Sequence, residues 1–201
     1  MRMRFLKILL IGLAVTALTA CSRTVEWEEE VPLNTGETIW VKRELTYAIR
    51  GAYANPLDLG FRAEPDQTFK FDYGGRRYIY KGQAKIILVA ISPKTQKPVL
   101  VAEPVANGWY SQNRYSCTTP FYVQFDPNVN GTEWTWPKKI DPWLYGLPTN
   151  IMLKIPDFDE VKNKYSASGR SQIDNTFLRS DSKYYQVIDA EHAFENCFNF
   201  K

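Results

Sequence analysis

Alternation between apolar and polar positions organises this chain. Over residues 24–33, Val25, Trp27, Glu29, Val31 and Leu33 fall on one side and Glu26, Glu28 and Glu30 on the other. A period of two predicts a strand with one mostly apolar face. Asn34-Thr35-Gly36-Glu37 is a turn signal, and residues 38–47 read as the returning strand, with Lys42 and Arg43 able to meet the glutamates across the hairpin. The clearest hairpin spans residues 68–82. Its two-residue turn, Gly74-Gly75, suits a geometry that needs positive φ. Pairing Tyr73 with Arg76 puts Phe69, Phe71, Tyr73, Tyr78 and Tyr80 on one face; that stripe reads as the core side of a sheet in preference to a stacking platform for sugars or bases.

Residues 84–91 are apolar except for Lys85, as in a central strand buried on both faces. Residues 93–98 turn the chain and 99–105 return it. Residues 121–125, 151–155 and 183–190 read as further short strands. Residues 50–67 lack a period, contain Asn55-Pro56 and Glu64-Pro65, and read as a long loop. The one predicted helix covers residues 157–165: Asp157 can cap it, Asp159 and Glu160 fall in its first turn, and residues 166–170, with Gly169, end it. The expected fold is therefore mostly β, an antiparallel sandwich or open barrel with one short helix.

Residues 131–148 interrupt this pattern. Trp134, Trp136, Trp143 and Tyr145 lie there among prolines and glycines. Large aromatics on turn-rich loops make binding surfaces, and they also plug the open end of a sandwich. The plug is the preferred reading, and these four residues are still the candidate binding surface.

The first twenty residues belong to a different system. Arg2, Arg4 and Lys7 precede an uncharged apolar run over residues 8–17, then Leu18-Thr19-Ala20-Cys21. The run is short for a membrane span, which needs roughly 20 residues, and an ordinary secretory signal would not need the cysteine. The segment resembles a bacterial lipoprotein signal with its lipobox. The resemblance implies removal of residues 1–20, a lipid on Cys21, and a single lipid-anchored domain over residues 21–201. Ser22, where an aspartate would retain the protein, implies sorting to the outer membrane and a domain facing the periplasm. Two or more acyl chains hold stably where one does not.

Removing the leader changes the charge. The chain has 25 basic and 22 acidic residues, a net +3. The leader holds three basic residues and no acid, so the mature part is neutral. A neutral body gives no electrostatic footprint for nucleic acid and argues against a polybasic surface for a membrane, with local patches left open. With Cys21 lipidated, Cys117 and Cys197 remain. An even pair in an oxidising compartment reads as a disulfide rather than two buried thiols, and closing so long a loop contributes about 4.5 kcal/mol in the chain-entropy model.

Recognisable tools for chemistry are few. The single histidine, His192, cannot build the usual zinc sites. No phosphate-binding or dinucleotide motif occurs, and no cofactor or metal is expected. Ser180-Asp181-Ser182-Lys183 lacks the companion motifs of an acylating serine and reads as a polar turn. The acidic run Glu28-Glu29-Glu30 reads as a solvated strand face facing basic neighbours, ahead of a cation site. Paired carboxylates stay open, because glycosidase acids meet only in the fold; Asp126, Glu133 and Asp141 lie in or beside the tryptophan-rich segment.

Residues 26–43 (EWEEEVPLNTGETIWVKR) and 122–140 (YVQFDPNVNGTEWTWPKKI) resemble bacterial lipoproteins of unknown function. That resemblance brings no activity with it. The expectation is a non-enzymatic binding or structural role in the envelope, with the membrane as one partner and an envelope protein or a glycan as another. The alternatives are a glycan-active enzyme and an accessory subunit of an envelope complex.

Overall fold

The computed structural model describes residues 22–51, 57–103, 122–137, 139–180 and 186–187, with side chains of the last helix through Asp174. The fold is mostly β: two largely antiparallel sheets and one helix, sandwich-like, with no closed barrel among the described residues. In the larger sheet, β1 (Ser22–Pro32), β2 (Thr38–Gly51), β3 (Leu59–Tyr73) and β4 (Arg76–Gly82) form a meander. The smaller sheet holds β5 (Lys85–Ile91), β6 (Pro98–Glu103), β7 (Val123–Pro127) and β8 (Trp134–Thr135). The short β9 (Lys164–Tyr165) then joins the larger sheet in parallel beside β1, giving the orders β4-β3-β2-β1-β9 and β5-β6-β7-β8.

The predicted hairpins form as the alternation requires. Glu28 pairs with Lys42 across β1 and β2, and Tyr73 with Arg76 across β3 and β4. Gly74 and Gly75 take φ of 56° and 72°, which a side chain would resist. Val31, Val41, Phe69, Phe71, Tyr78 and Tyr80 point inward from the larger sheet and meet Ile86, Val89, Leu100, Val123 and Phe125 from the smaller one. β5 is buried on both sides, because Ile87, Leu88 and Ala90 lie in a second cluster on the outer face of its sheet, with Tyr122, Leu144 and Leu153. A third cluster packs Trp27, Leu45 and Tyr47 against Met152 and Tyr165.

Three expectations are corrected. Arg50 and Gly51 belong to β2 and residues 59–67 to β3, where a long loop over residues 50–67 was expected. The register skips there, so that residues 64–66 lie opposite Thr46 alone; Pro65, which has no N–H to give the ladder, occupies this bulge. Residues 151–155 are not a strand. Side chains take the place of a ladder: Met152 N–H donates to Glu29 Oε2 at 2.7 Å, and the N–H groups of Leu153 and Lys154 donate to Asp174 Oδ1 at 3.0 and 2.8 Å. The helix is Ala167–Ser180, labelled α1 here, and not residues 157–165. Asp157 introduces only a 3-10 turn at Phe158–Glu160, since β9 is drawn out to pair with Glu28 and Glu29. Ser166 starts α1, its Oγ accepting the Gly169 N–H at 3.1 Å, while Glu30 Oε2 accepts the Ala167 N–H at 3.0 Å. Cys21, Cys117, Cys197, His192 and all of residues 183–190 save Gln186 and Val187 lie outside the described residues.

Two of the sheet edges, β5 and β4, are covered by side chains or loops. Asn34 bonds Ile91 at both its N–H and its C=O, at 2.7 and 3.0 Å. Asn150 does the same at Val89, at 2.8 and 2.7 Å. On β4, Ile79 N–H donates to Gly131 O at 2.8 Å. Gly131, at φ 75°, lies so close that a Cβ would stand 2.7 Å from Arg77 O, so only glycine fits this edge cover.

Candidate functional site

The tryptophan-rich segment is built outward from the short β7–β8 hairpin, in which Asp126 pairs with Thr135 and Pro127 with Trp134. Its turn is tied by Asn128, whose Oδ1 accepts the N–H groups of Asn130, Thr132 and Glu133. This is the local bonding that suits Asn to turns. Because successive strand residues face opposite ways, the hairpin delivers its neighbours to both faces of the smaller sheet.

On the inner side, Trp134 donates its indole N–H to Ile79 O at 2.7 Å and packs between Tyr78 and Tyr80, with ring centroids 6.3 and 6.2 Å away. Trp136 stands edge-on to Phe125 at 6.2 Å and is 45% exposed. These rings, with Tyr80, Lys81, Thr132 and Glu133, line an open groove of about 550 Å³ between the end of β4 and the β7–β8 hairpin. Gly82 is the groove's other end. A Cβ there would stand 2.6 Å from the Tyr80 hydroxyl, so the glycine leaves room for that ring. Glu133 reaches Asn128 Nδ2 at 3.0 Å.

Trp143 and Tyr145 are elsewhere. Trp143 lies within a 3-10 turn (Pro142–Leu144) and Tyr145 follows it, and both pack half-buried on the outer-face cluster beside Leu144 and Leu147. The four aromatics therefore form two patches on opposite faces of one sheet, the first open to solvent at Trp136 and the second closed over the core.

The three acidic candidates divide in the same way. Glu133 lies on the groove. Asp126 and Asp141 meet on the outer face through one buried amide: Gln124 Nε2 donates to Asp126 Oδ1 at 2.8 Å and to Asp141 Oδ2 at 3.2 Å. Sharing that nitrogen puts the two oxygens at most about 6 Å apart, no farther than the carboxylates of inverting glycosidases stand. Gln124 Oε1 accepts the Asp141 N–H at 2.7 Å, and the Trp143 indole donates to Asp141 Oδ2 at 3.1 Å. Burial pushes the Asp126 carboxyl above its usual range; the Gln124 N–H opposes this, and the charge of Asp141 adds to it.

One charged constellation has no clear sequence signal. Glu29, read as a member of an apolar face, is fully buried with Arg43. Arg43 Nη1 donates to Glu29 Oε1 and to Met152 O, each at 3.0 Å, and Nη2 donates to Gln67 Oε1 at 3.2 Å. The guanidinium lies between Trp27 and Phe69, 5.0 and 4.6 Å from the ring centroids. The hairpin reading already let Arg43 meet the glutamates of β1, but the solvated face expected for Glu28-Glu29-Glu30 is corrected at Glu29, which the pleat turns into the interior.

Among the described residues no three of His, Cys, Asp and Glu stand together to hold a metal ion, and no helix is long and apolar enough to cross a membrane. No protein-family model matches the chain, and neither a curated protein nor a solved structure matches it significantly.

Proposed function

We propose that this is a lipid-anchored protein of the bacterial outer membrane with a non-enzymatic binding role, and that the groove of Trp134 and Trp136 is its binding surface. The observation that supports the groove is the exposed indole of Trp136 held beside Phe125 over about 550 Å³ of open space. An aromatic floor with a few polar groups at its rim suits the apolar face and hydroxyl edge of a sugar, so a wall or surface polysaccharide is the ligand class. Lys81 and Glu133 supply the polar rim.

The two tryptophans have separable roles. Trp136→Ala removes a half-exposed ring, so retention on isolated cell-wall polysaccharide should fall about tenfold or more with the melting temperature nearly unchanged. Trp134→Ala removes the ring between Tyr78 and Tyr80 and should also destabilise the fold, by about 3 kcal/mol. Retention that survives Trp136→Ala excludes the groove.

A glycan-cleaving enzyme is the second reading, favoured by the approach of Asp126 and Asp141. If it holds, the protein releases reducing ends from polysaccharide and Asp126→Asn abolishes the release. Absence of release by the unsubstituted protein removes this reading.

A further inference from the structure

The larger sheet outreaches the smaller one. β2 and β3 run for 14 and 15 residues, while β5, β6 and β7 have 7, 6 and 5. Beyond the pair of Tyr47 with Ala63, β2 and β3 continue as a ribbon whose inward side meets no opposing strand of the smaller sheet among the described residues. Ile49 pairs with Phe61 and Gly51 with Leu59, so the apolar side carries on to the tip. Phe61 is partly covered by Phe158, stacked at 4.7 Å. Ile49 is 43% exposed and Leu59 68%, with Leu57 beside them at 89%. Isolated exposed leucines are ordinary, but three large aliphatic side chains at one protruding end ask for a cover.

The same end carries the start of β1. Ser22 is already in the strand and pairs with Ala48, three residues from Gly51. Cys21 is the next residue, about 3.8 Å away along the backbone. With a lipid on Cys21, no linker separates the acyl chains from the sheet. The ribbon reaches about 10 Å past Ser22, at roughly 3.4 Å per residue. That matches the roughly 5–10 Å by which interfacial apolar side chains enter the headgroup and acyl boundary. Arg23, Arg50 and Arg62 stand at this end. Arg50 and Arg62 pair with Glu64 and Asp58, and the Arg23 guanidinium lies 5.4 Å from the Phe61 centroid and 5.6 Å from that of Phe158. Long basic side chains on an apolar stem suit the phosphate level of a bilayer.

We infer that the end of β2 and the start of β3, through Ile49 and Leu59 with Leu57 beside them, dock into the surface of the membrane that holds the lipid anchor, so that the domain is held in one orientation instead of hanging free. The inference rests on the anchor at Cys21 and is independent of the groove. Docking at this end turns the opposite end, with the turn at Thr35, away from the bilayer.

The test uses the full lipidated protein in vesicles of phosphatidylethanolamine and phosphatidylglycerol. Leu57→Cys and Thr35→Cys each carry a polarity-sensitive dye, with the unsubstituted protein as the labelling background. Docking predicts a blue shift at Leu57→Cys and loss of emission to acyl chains brominated near the headgroup, with no change at Thr35→Cys. Adding Ile49→Ser and Leu59→Ser should abolish the response, and both sites are exposed enough for the fold to persist. A protein that floats with the vesicles but shows no response at Leu57→Cys overturns the docking and leaves the anchor standing. Equal quenching at both positions, or a response that survives the two serines, also overturns it. Failure to float, with Cys21 unmodified, removes the anchor and the docking together.

Discussion

Glu26 and Glu29 stand three residues apart on one strand, each reaching diagonally to a base on the next strand, since the residues directly opposite them are Glu44 and Val41, and they live in different solvents. Glu26 meets Lys42 at 2.5 Å on the outer face, both side chains more than two-fifths exposed. Glu29 meets Arg43 at 3.0 Å on the inner face, both essentially sealed from water. The outer pair belongs to a row with Glu28–Lys164, Glu44–Lys70 and Asp72–Arg77, where water screens each charge and any one contact matters little. The inner pair is wired to Met152 and Gln67, and Gln67 passes on to Ala84 O at 2.6 Å. It joins β1, β2, β3 and residues 150–154 at one point. A buried pair of this kind gives little net stability against a hydrophobic replacement, yet breaking it is costly, because the surviving charge stays buried. Its imperfect satisfaction fits that view: Arg43 Nε and Trp27 Nε1 are buried with no acceptor. What separates the two pairs is the face of the strand, not the residue types.

The largest effect should come from splitting the inner pair. Glu29→Gln leaves Arg43 charged and unbalanced and should cost about 3–5 kcal/mol in denaturant unfolding. Replacing both partners, Glu29→Leu with Arg43→Met, should cost less than the single change, the remainder reflecting the orphaned Met152 N–H at about 1–3 kcal/mol. A double variant as unstable as the sum of its parts would mean that the pair contributes net stability.

Asp126 sharpens the comparison as a half-buried carboxylate whose neighbour is another carboxylate. Burial holds its pKa above the ordinary 3.8 in the fold. Its proton is therefore held more tightly in the folded chain. This favours folding fully below 3.8 and is lost as pH rises through the raised value. Asp126→Asn, which still accepts from Gln124, should raise the melting temperature at neutral pH. The gain should disappear on acidification below the usual carboxylate range. A gain independent of pH would assign it to something other than ionisation.

The smallest effect belongs to the outer pair. Lys42→Ala should leave the melting temperature within a degree or so of the parent, and moderate salt should erase the difference. A larger, salt-resistant loss would show that the outer row works as a network.

Residues 24–47 and 68–103 were legible because their signals are local. Alternation marks one face, Gly74-Gly75 marks the turn, and the pleat then sets which side chains share a side. Local signals failed where a distant partner overrode them. Asp157, Asp159 and Glu160 look like a helix start, but β9 gains a place beside β1 instead. Residues 151–155 look like a strand, but Glu29 and Asp174 take up their N–H groups. Residues 59–67 look like a loop, since nothing local reveals that the bulge at Pro65 lets β3 continue. The tryptophan-rich segment was visible as a composition, while its division between a groove and a sealed face depended on which side of β7 each residue reached.

The sequence by itself determined the three hairpins β1–β2, β3–β4 and β5–β6, the tight turns and the neutral charge of residues 21–201, because each depends on neighbours within one hairpin or on a count. Only the tertiary structure decided that Glu29 is interior, that Asp126 and Asp141 share an amide, and that Ile49 and Leu59 overhang the smaller sheet. Burial is a property of what packs opposite, and Met152, which bonds the buried Glu29, lies 123 positions away.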